Sequence, residues 1–296
     1  MGIQPGVGRR RGGMAAGAPV AASVTRAALG PLKRSLTARA RGLYGRGRLH
    51  GTVSGHVDRT TGYITLDHPG KQNAISVEMY RGVPAAVRQA SGGRVLVIRG
   101  SDEAFSAGSD ISEFKRVRTG AAAATAYSLV ESAASAALVS APQPLLACIH
   151  GPCFGGGLNL ALAADIRFAA EDATFCVPPA RLGIGYPRDL MELLVRAVGS
   201  GHAKELLLTA RVVDAREALR LGLVNFVLPK PELDAHVHGV AASIGRLAPL
   251  TLAAAKLMAD GRAGADAACA ACYESKDYAE GVRAFEEKRR PVFTGE

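Results

Sequence analysis

The sequence predicts an α/β fold in which strand–helix units stack in parallel, followed by a helical last third. Three observations carry this. Short aliphatic runs such as residues 94–99 (RVLVIR) and 144–149 (PLLACI) read as strands buried on both faces. Segments of helical spacing separate them. Beyond about residue 230 the pattern is almost all helix.

Taken in order, residues 63–66 (YITL) read as a strand, closed by the turn-forming Asp67, His68, Pro69 and Gly70. Residues 77–90 read as a helix with Pro84 near its first turns. Strands follow at 94–99 and 144–149, a buried helix at 158–164 (LNLALAA), and a short strand at 166–169. Helices are expected at 196–209 and 215–221, the second stopped by Gly222. A strand at 224–227 precedes helices at 232–261 and 273–289. There is no exact internal repeat and no strong linker after residue 55.

Of the 296 residues, 48% are apolar, which fits a globular protein and excludes a disordered one. The stretch nearest to a membrane span, 120–141, is Ala-rich, weakly apolar and interrupted by Glu131, so no span is expected. The net charge of +10 is unevenly placed. Residues 1–50 hold nine Arg and Lys33 with no Asp or Glu; the remainder holds 26 basic and 26 acidic side chains. Residues 1–52 are therefore expected to be a basic leader. Three readings stay open for it: a mitochondrial-type targeting peptide, a disordered tail, or a start placed upstream of the true one, with Met14 a later candidate. Nucleic-acid binding would need stacking aromatics on a basic folded face, and Tyr44 is the only aromatic residue there. The expected division is a leader at 1–52, an α/β core at 53–230 and a helical region at 231–296.

The five cysteines, an odd number, point to reduced thiols and an intracellular location, cytoplasmic or the mitochondrial matrix in a eukaryote. Cys269 and Cys272 form a C-x-x-C with no second pair to complete a zinc site, so buried helix packing is expected and no metal.

Two loops carry chemistry. Residues 105–111 (FSAGSDI) follow the strand at 94–99; Ser109 and Asp110 are N-cap types, and Glu113 stands three past Asp110 as in a capping box. Residues 150–158 (HGPCFGGGL) join strand 144–149 to helix 158–164, and the three glycines admit a close backbone approach. Both loops present backbone N–H groups at the positive end of a helix. Two such turns from adjacent units can aim two donors at one developing oxyanion. No G-x-x-x-x-G-K-[ST] and no G-x-G-x-x-G after a strand is present, which excludes the common nucleotide loops.

The ordered motifs AFSAGSDI, PLLACIHGPCFGGGLNLALAADIRFAAEDATF, PPARLGIGY, AKELLLTARVVDAREALRLGLVNFVL and AFEEKRRPVF make residues 53–294 resemble the enoyl-CoA hydratase/isomerase (crotonase) superfamily. The resemblance implies repeated ββα units with a C-terminal helical trimerisation region, assembled as trimers or hexamers. It also implies an acyl-CoA ligand, with coenzyme A part of the substrate and no separate cofactor. The thioester carbonyl would sit between the N–H groups of Ser109 and Gly156, which stabilise an enolate. The backbone of Ala107, Gly108, Ser109, Asp110 and Ile111 would meet the adenine. Lys288 would reach the CoA phosphates, in one reading from a neighbouring subunit; it reads equally as a solvated charge in the EEKRR run.

The pattern then breaks. The superfamily's two hydratase glutamates fall on Asn159 and Pro179. Asn orients water but takes no proton, and Pro does neither, so ordinary hydration loses a contribution of about 10² to 10⁴ in rate. Polar residues remain nearby: Tyr186, in an LG-x-x-Y segment that resembles methylmalonyl-CoA decarboxylase, and Asp189, near the place of a family aspartate. Tyr127 and Asn159 are candidates for the acyl pocket, and His150 for a structural role at a strand end. The expected activity is enolate-stabilising acyl-CoA chemistry. A malonyl-type decarboxylase using Tyr186 and a non-catalytic acyl-CoA-binding subunit are the alternatives. RNA binding is set aside because the helix at 77–90 holds only Arg81 and Arg88 as bases.

Overall fold

A computed structural model of the chain describes residues 51–296. The expected basic leader lies outside the described residues, apart from its last two. Of these, Thr52 opens β1 (Thr52–Asp58), which pairs antiparallel with β2 (Thr61–Asp67), Thr52 opposite Asp67. The sequence reading missed β1 because four of its seven residues are polar or charged and one is glycine.

Helix α1 (Val77–Ala90) has the predicted bounds. Ser76 caps it, its hydroxyl accepting from the Met79 N–H at 3.2 Å, and Pro84 lies in the helix interior. β3 (Val95–Gly100) leads through a 3₁₀ turn (Ile111–Glu113) into a short α2 (Phe114–Val117) and then α3 (Ala121–Val139). The capping-box expectation fails in part. Asp110 does cap, accepting from the Ser112 N–H at 3.1 Å. Glu113 instead accepts from the Val77 N–H at 2.9 Å, tying this turn to the start of α1.

β4 (Leu145–Ile149), β5 (Pro152–Phe154), α4 (Gly156–Leu162), β6 (Ile166–Ala170) and β7 (Thr174–Cys176) follow. Next come a 3₁₀ turn (Pro179–Leu182), α5 (Arg188–Thr209), β8 (Val213–Asp214), α6 (Ala215–Leu221) and β9 (Phe226–Leu228). α5 begins eight residues before the expected 196, and Gly199 interrupts it with a positive φ of +75°. The last four helices are α7 (Lys230–Ile244), α8 (Pro249–Ala259), α9 (Ala265–Tyr273) and α10 (Lys276–Glu286). The expected single helix over 232–261 is two, bent by 107° between Ile244 and Pro249. Gly245 keeps helical dihedrals, and the break falls at Ala248, which Pro249 holds in extended backbone.

The main sheet has the order β1-β2-β3-β4-β6-β9, parallel from β2 onward. A smaller sheet, β5-β7-β8, lies beside it in sequence order. Val95 and Val97 of β3, Leu146 and Cys148 of β4, and Phe168 of β6 pack against Leu233, Val237 and Ala241 of α7. α7 therefore packs on the α/β core although it lies past the expected boundary at residue 230, and residues 51–296 belong to one compact unit.

By length and composition α3 is apolar enough to cross a membrane, contrary to expectation. Tyr127, Glu131, Ala134, Ser135 and Leu138 of this helix are buried, and it lies against α1 and α4. Cys269 is exposed and Cys272 half-buried on α9, so the expected buried packing of this pair is not found within the chain. α8 to α10 leave Met258, Tyr273, Tyr278, Val282 and Phe285 exposed.

Candidate active site

β3 and β4 are parallel neighbours, with Arg99 opposite Cys148, so the loops that leave their C-terminal ends start side by side. A bridge ties the loops together: the Ser106 N–H donates to Pro152 O at 2.9 Å and the Phe154 N–H to Ser106 O at 3.0 Å. A second bridge orients Ser109. The Ile75 N–H donates to Gly108 O and the Asp110 N–H to Ile75 O, so the N–H of Ser109 faces the other way. In the second loop Gly155 takes φ +46°, which turns the chain into α4 with Gly156 as its first residue. Among the described residues, neither the Ser109 nor the Gly156 N–H has a protein acceptor. Both residues line one cavity.

Gly156 admits no side chain. A Cβ there would stand 1.8 Å from the Tyr80 hydroxyl and 2.8 Å from Ser109 Oγ. Those two oxygens are 2.9 Å apart, and both approach Glu131 Oε1, at 3.4 Å from Tyr80 and 3.1 Å from Ser109. Glu131 comes from α3, is 5% exposed and lines the cavity. Its second oxygen stands 3.7 Å from the Arg118 guanidinium. Arg118 stacks 4.5 Å over the Tyr127 ring and 5.2 Å over Phe114. Burial pushes the Glu131 carboxyl above the usual range, with Arg118 and the Ser109 and Tyr80 hydroxyls opposing. On another wall, the Tyr186 hydroxyl donates to Asn159 Oδ1 at 2.5 Å. Burial raises the Tyr186 pKa, so its hydroxyl stays protonated.

A pair of unpaired backbone donors over an apolar-walled cavity suits a carbonyl that gains negative charge. The profile of the Enoyl-CoA hydratase/isomerase family matches residues 57–296. The chain belongs to this family. A Bacillus subtilis protein, YngF, which carries an enoyl-CoA hydratase/isomerase name, is 36% identical over 245 residues, covering 78% of this chain and 94% of that one. The solved structure of an enoyl-CoA hydratase/carnithine racemase from Magnetospirillum magneticum superposes with a TM-score of 0.77 at 35% identity, covering 86% of this chain and all of the other. An enoyl-CoA hydratase from Bacillus anthracis gives 0.74 at 28% identity, over 83% of this chain and all of that one. The fold is thus the crotonase fold, with its helical C-terminal region.

Of the residues the resemblance singled out, Ala107, Gly108, Ser109, Ile111, Gly156, Asn159, Pro179 and Tyr186 all line the cavity. Three expected residues do not. Asp110 is buried beneath the loop, bound to Lys71 Nζ at 2.8 Å and to Ser112, and serves as a cap. Asp189 stands exposed in the first turn of α5, because Pro187 turns the chain into the helix before it. Lys288 is exposed just past α10. Tyr127 stays behind the wall, edge-on to Tyr80 and Phe114.

His150 has a structural partner in Asp234 of α7, at 3.1 Å, and Cys148 Sγ donates to the same carboxylate at 3.5 Å. This trio has the donor types of a metal site, and none of the three lines the cavity. Sequence reasoning missed Tyr80, Arg118 and Glu131. The signal for Glu131 was present: it is the one charged residue in the 19 of α3.

Proposed function

We propose that this chain binds an acyl-CoA with the thioester carbonyl between the N–H groups of Ser109 and Gly156, and that it stabilises the enolate. The observation that carries this is the pair of free donors, held in fixed relation by the bridge between Ser106 and Cys153. Each donor of this kind contributes about 3 kcal/mol to the transition state. Ordinary hydration is not favoured, because Asn159 and Pro179 bring no carboxylate to the cavity. Coenzyme A enters as part of the substrate. Exposed apolar side chains on α8 to α10 suit the trimer or hexamer of the family, in which Lys288 would meet a neighbour's CoA phosphates.

A second reading, decarboxylation of a malonyl-type ester, is favoured by one observation. The neutral Tyr186 hydroxyl and the Arg118 guanidinium both line the cavity, where a substrate carboxylate could be held. Loss of CO₂ delivers the enolate directly to the two donors and needs no base at the α-carbon.

The experiment is a mass-spectrometric screen of enoyl-, 3-hydroxyacyl-, malonyl-type and β-diketone CoA esters. Loss of 44 Da from a malonyl ester selects decarboxylation, and gain of 18 Da from an enoyl ester restores hydration. Tight binding without turnover would make the chain a non-catalytic acyl-CoA-binding subunit. Binding of none of the esters would overturn the acyl-CoA reading.

A further inference from the structure

We infer that Glu131 is the proton-transferring group of this cavity, supplied by α3 in place of the two family glutamates. The inference rests on the acyl-CoA reading above. In the step, a Glu131 carboxylate oxygen takes the proton from the α-carbon of the bound thioester. The C–H electron pair becomes the enolate double bond, and the carbonyl pair moves onto the oxygen held by Ser109 and Gly156. Return of a proton from Glu131 to the α-carbon reverses the step.

Position is the first ground. Glu131 is the one carboxylate among the residues that line the cavity. Its Oε1 lies 3.1 Å from the Ser109 hydroxyl, and the N–H of that same residue is one of the two donors. The carboxylate therefore stands one side chain away from the carbonyl site. Its other neighbour, Tyr80, presses on the Cα of Gly156, the second donor.

Composition is the second ground. α3 is otherwise free of charge and largely Ala, and an aliphatic residue at 131 would pack there without desolvating an ion. A buried pair such as Glu131–Arg118 often contributes no more to stability than an apolar replacement. A single carboxylate kept at this cost and facing a cavity marks a functional group. The Arg118 contact is long, at 3.7 Å, and engages only Oε2. Two hydroxyls use Oε1, which leaves a carboxylate with capacity for one more contact.

Electrostatics agree with both. The titratable or charged groups around Glu131 are Tyr80 of α1, Arg118 after α2, Tyr127 of α3 itself, and Tyr186 and Asp189 at the start of α5. Burial keeps the three tyrosines protonated. Burial and Asp189 raise the Glu131 pKa, and Arg118 holds it back, so the group moves toward the working range of an acid–base catalyst.

The test is deuterium exchange into the α-carbon of butyryl-CoA in D₂O, read by mass, with butyryl-CoA affinity measured in parallel. Wild type should exchange, with a rate that rises with pH through one titration above the ordinary carboxylate range. Glu131→Gln should bind within a few-fold of wild type and exchange slower by about 10² to 10⁴, without that pH limb. Glu131→Asp should keep the limb at a reduced rate, which carries the test if the Gln variant does not fold. Wild-type exchange in Glu131→Gln, or the same pH limb in both, would overturn the role of Glu131. Binding of butyryl-CoA by wild type with no α-exchange would also overturn it, leaving the acyl-CoA reading intact. No binding by wild type would overturn the reading beneath it.

Discussion

Tyr186 gives its hydroxyl proton to Asn159 Oδ1 across 2.5 Å, joining the glycine-loop helix to the segment after Pro179 on one wall of the cavity. The hydroxyl is raised well clear of titration by burial, so it acts as a neutral donor. Tyr186→Phe should slow turnover by roughly five- to tenfold, the worth of about 1 kcal/mol for one hydrogen bond. The loss should be the same from pH 6 to pH 9. A pH–rate profile checks this, and an unchanged rate removes Tyr186 from the mechanism.

Ser109→Ala leaves the backbone donor in place, and from the sequence alone a mild effect is expected. The structure changes that expectation, because the hydroxyl donates to Glu131 and holds its pKa down. Without it the carboxyl pKa rises further, and less of the base form remains at neutral pH. The variant should lose more activity at pH 6 than at pH 8, with the acid limb displaced upward. A limb that does not move separates Ser109 from Glu131.

Gly156→Ala drives a methyl group to 1.8 Å from the Tyr80 hydroxyl. Tyr80 is buried and has little room to yield, so the strain falls on the first turn of α4 and the donor it carries. Turnover should fall by at least about 10², the typical cost of one oxyanion donor, and the overpacking should lower stability by about 1–3 kcal/mol. Tyr80→Phe in the same chain removes the oxygen that clashes and should recover part of the rate. No recovery would place the damage elsewhere than in this contact.

Glu131→Leu leaves Arg118, with a side chain 9% exposed, without its anion. The cost should be about 3–5 kcal/mol in urea unfolding, as for other broken buried pairs. Arg118→Leu with Glu131→Leu should return most of it and remain inactive. In wild type, the raised Glu131 pKa means the folded state holds this proton more tightly than the unfolded chain. That stabilising share is present below the ordinary carboxylate value and is lost as pH rises through the raised one. Wild type should therefore lose stability relative to Glu131→Gln across that window.

The strands at β3 and β4 were legible to within one residue because burial on both faces leaves an unbroken aliphatic run. α1 was legible to the residue from its apolar spacing, and the Ser76 cap seen in the structure fixes its start. β5, β7 and β8, two or three residues each, hold no local pattern, since their partners are distant in the chain. The donor loops could be read from glycine and capping chemistry. Glu131 could not be assigned, because which face of an Ala-rich helix meets the cavity is settled by packing against α1 and α4. Asp189 follows Tyr186 closely yet does not line the cavity, because a helix starts after Pro187, although its charge still reaches Tyr186 and Glu131.

The bridge between Ser106 and Cys153 fixes the polarising half of the site in main-chain atoms that point substitutions reach only through packing. The proton-handling half sits on α3, which joins no strand and forms no part of that ladder. The two halves can therefore change independently over evolutionary time. A substitution on α3 can change the acid–base group while the anion cradle stays whole.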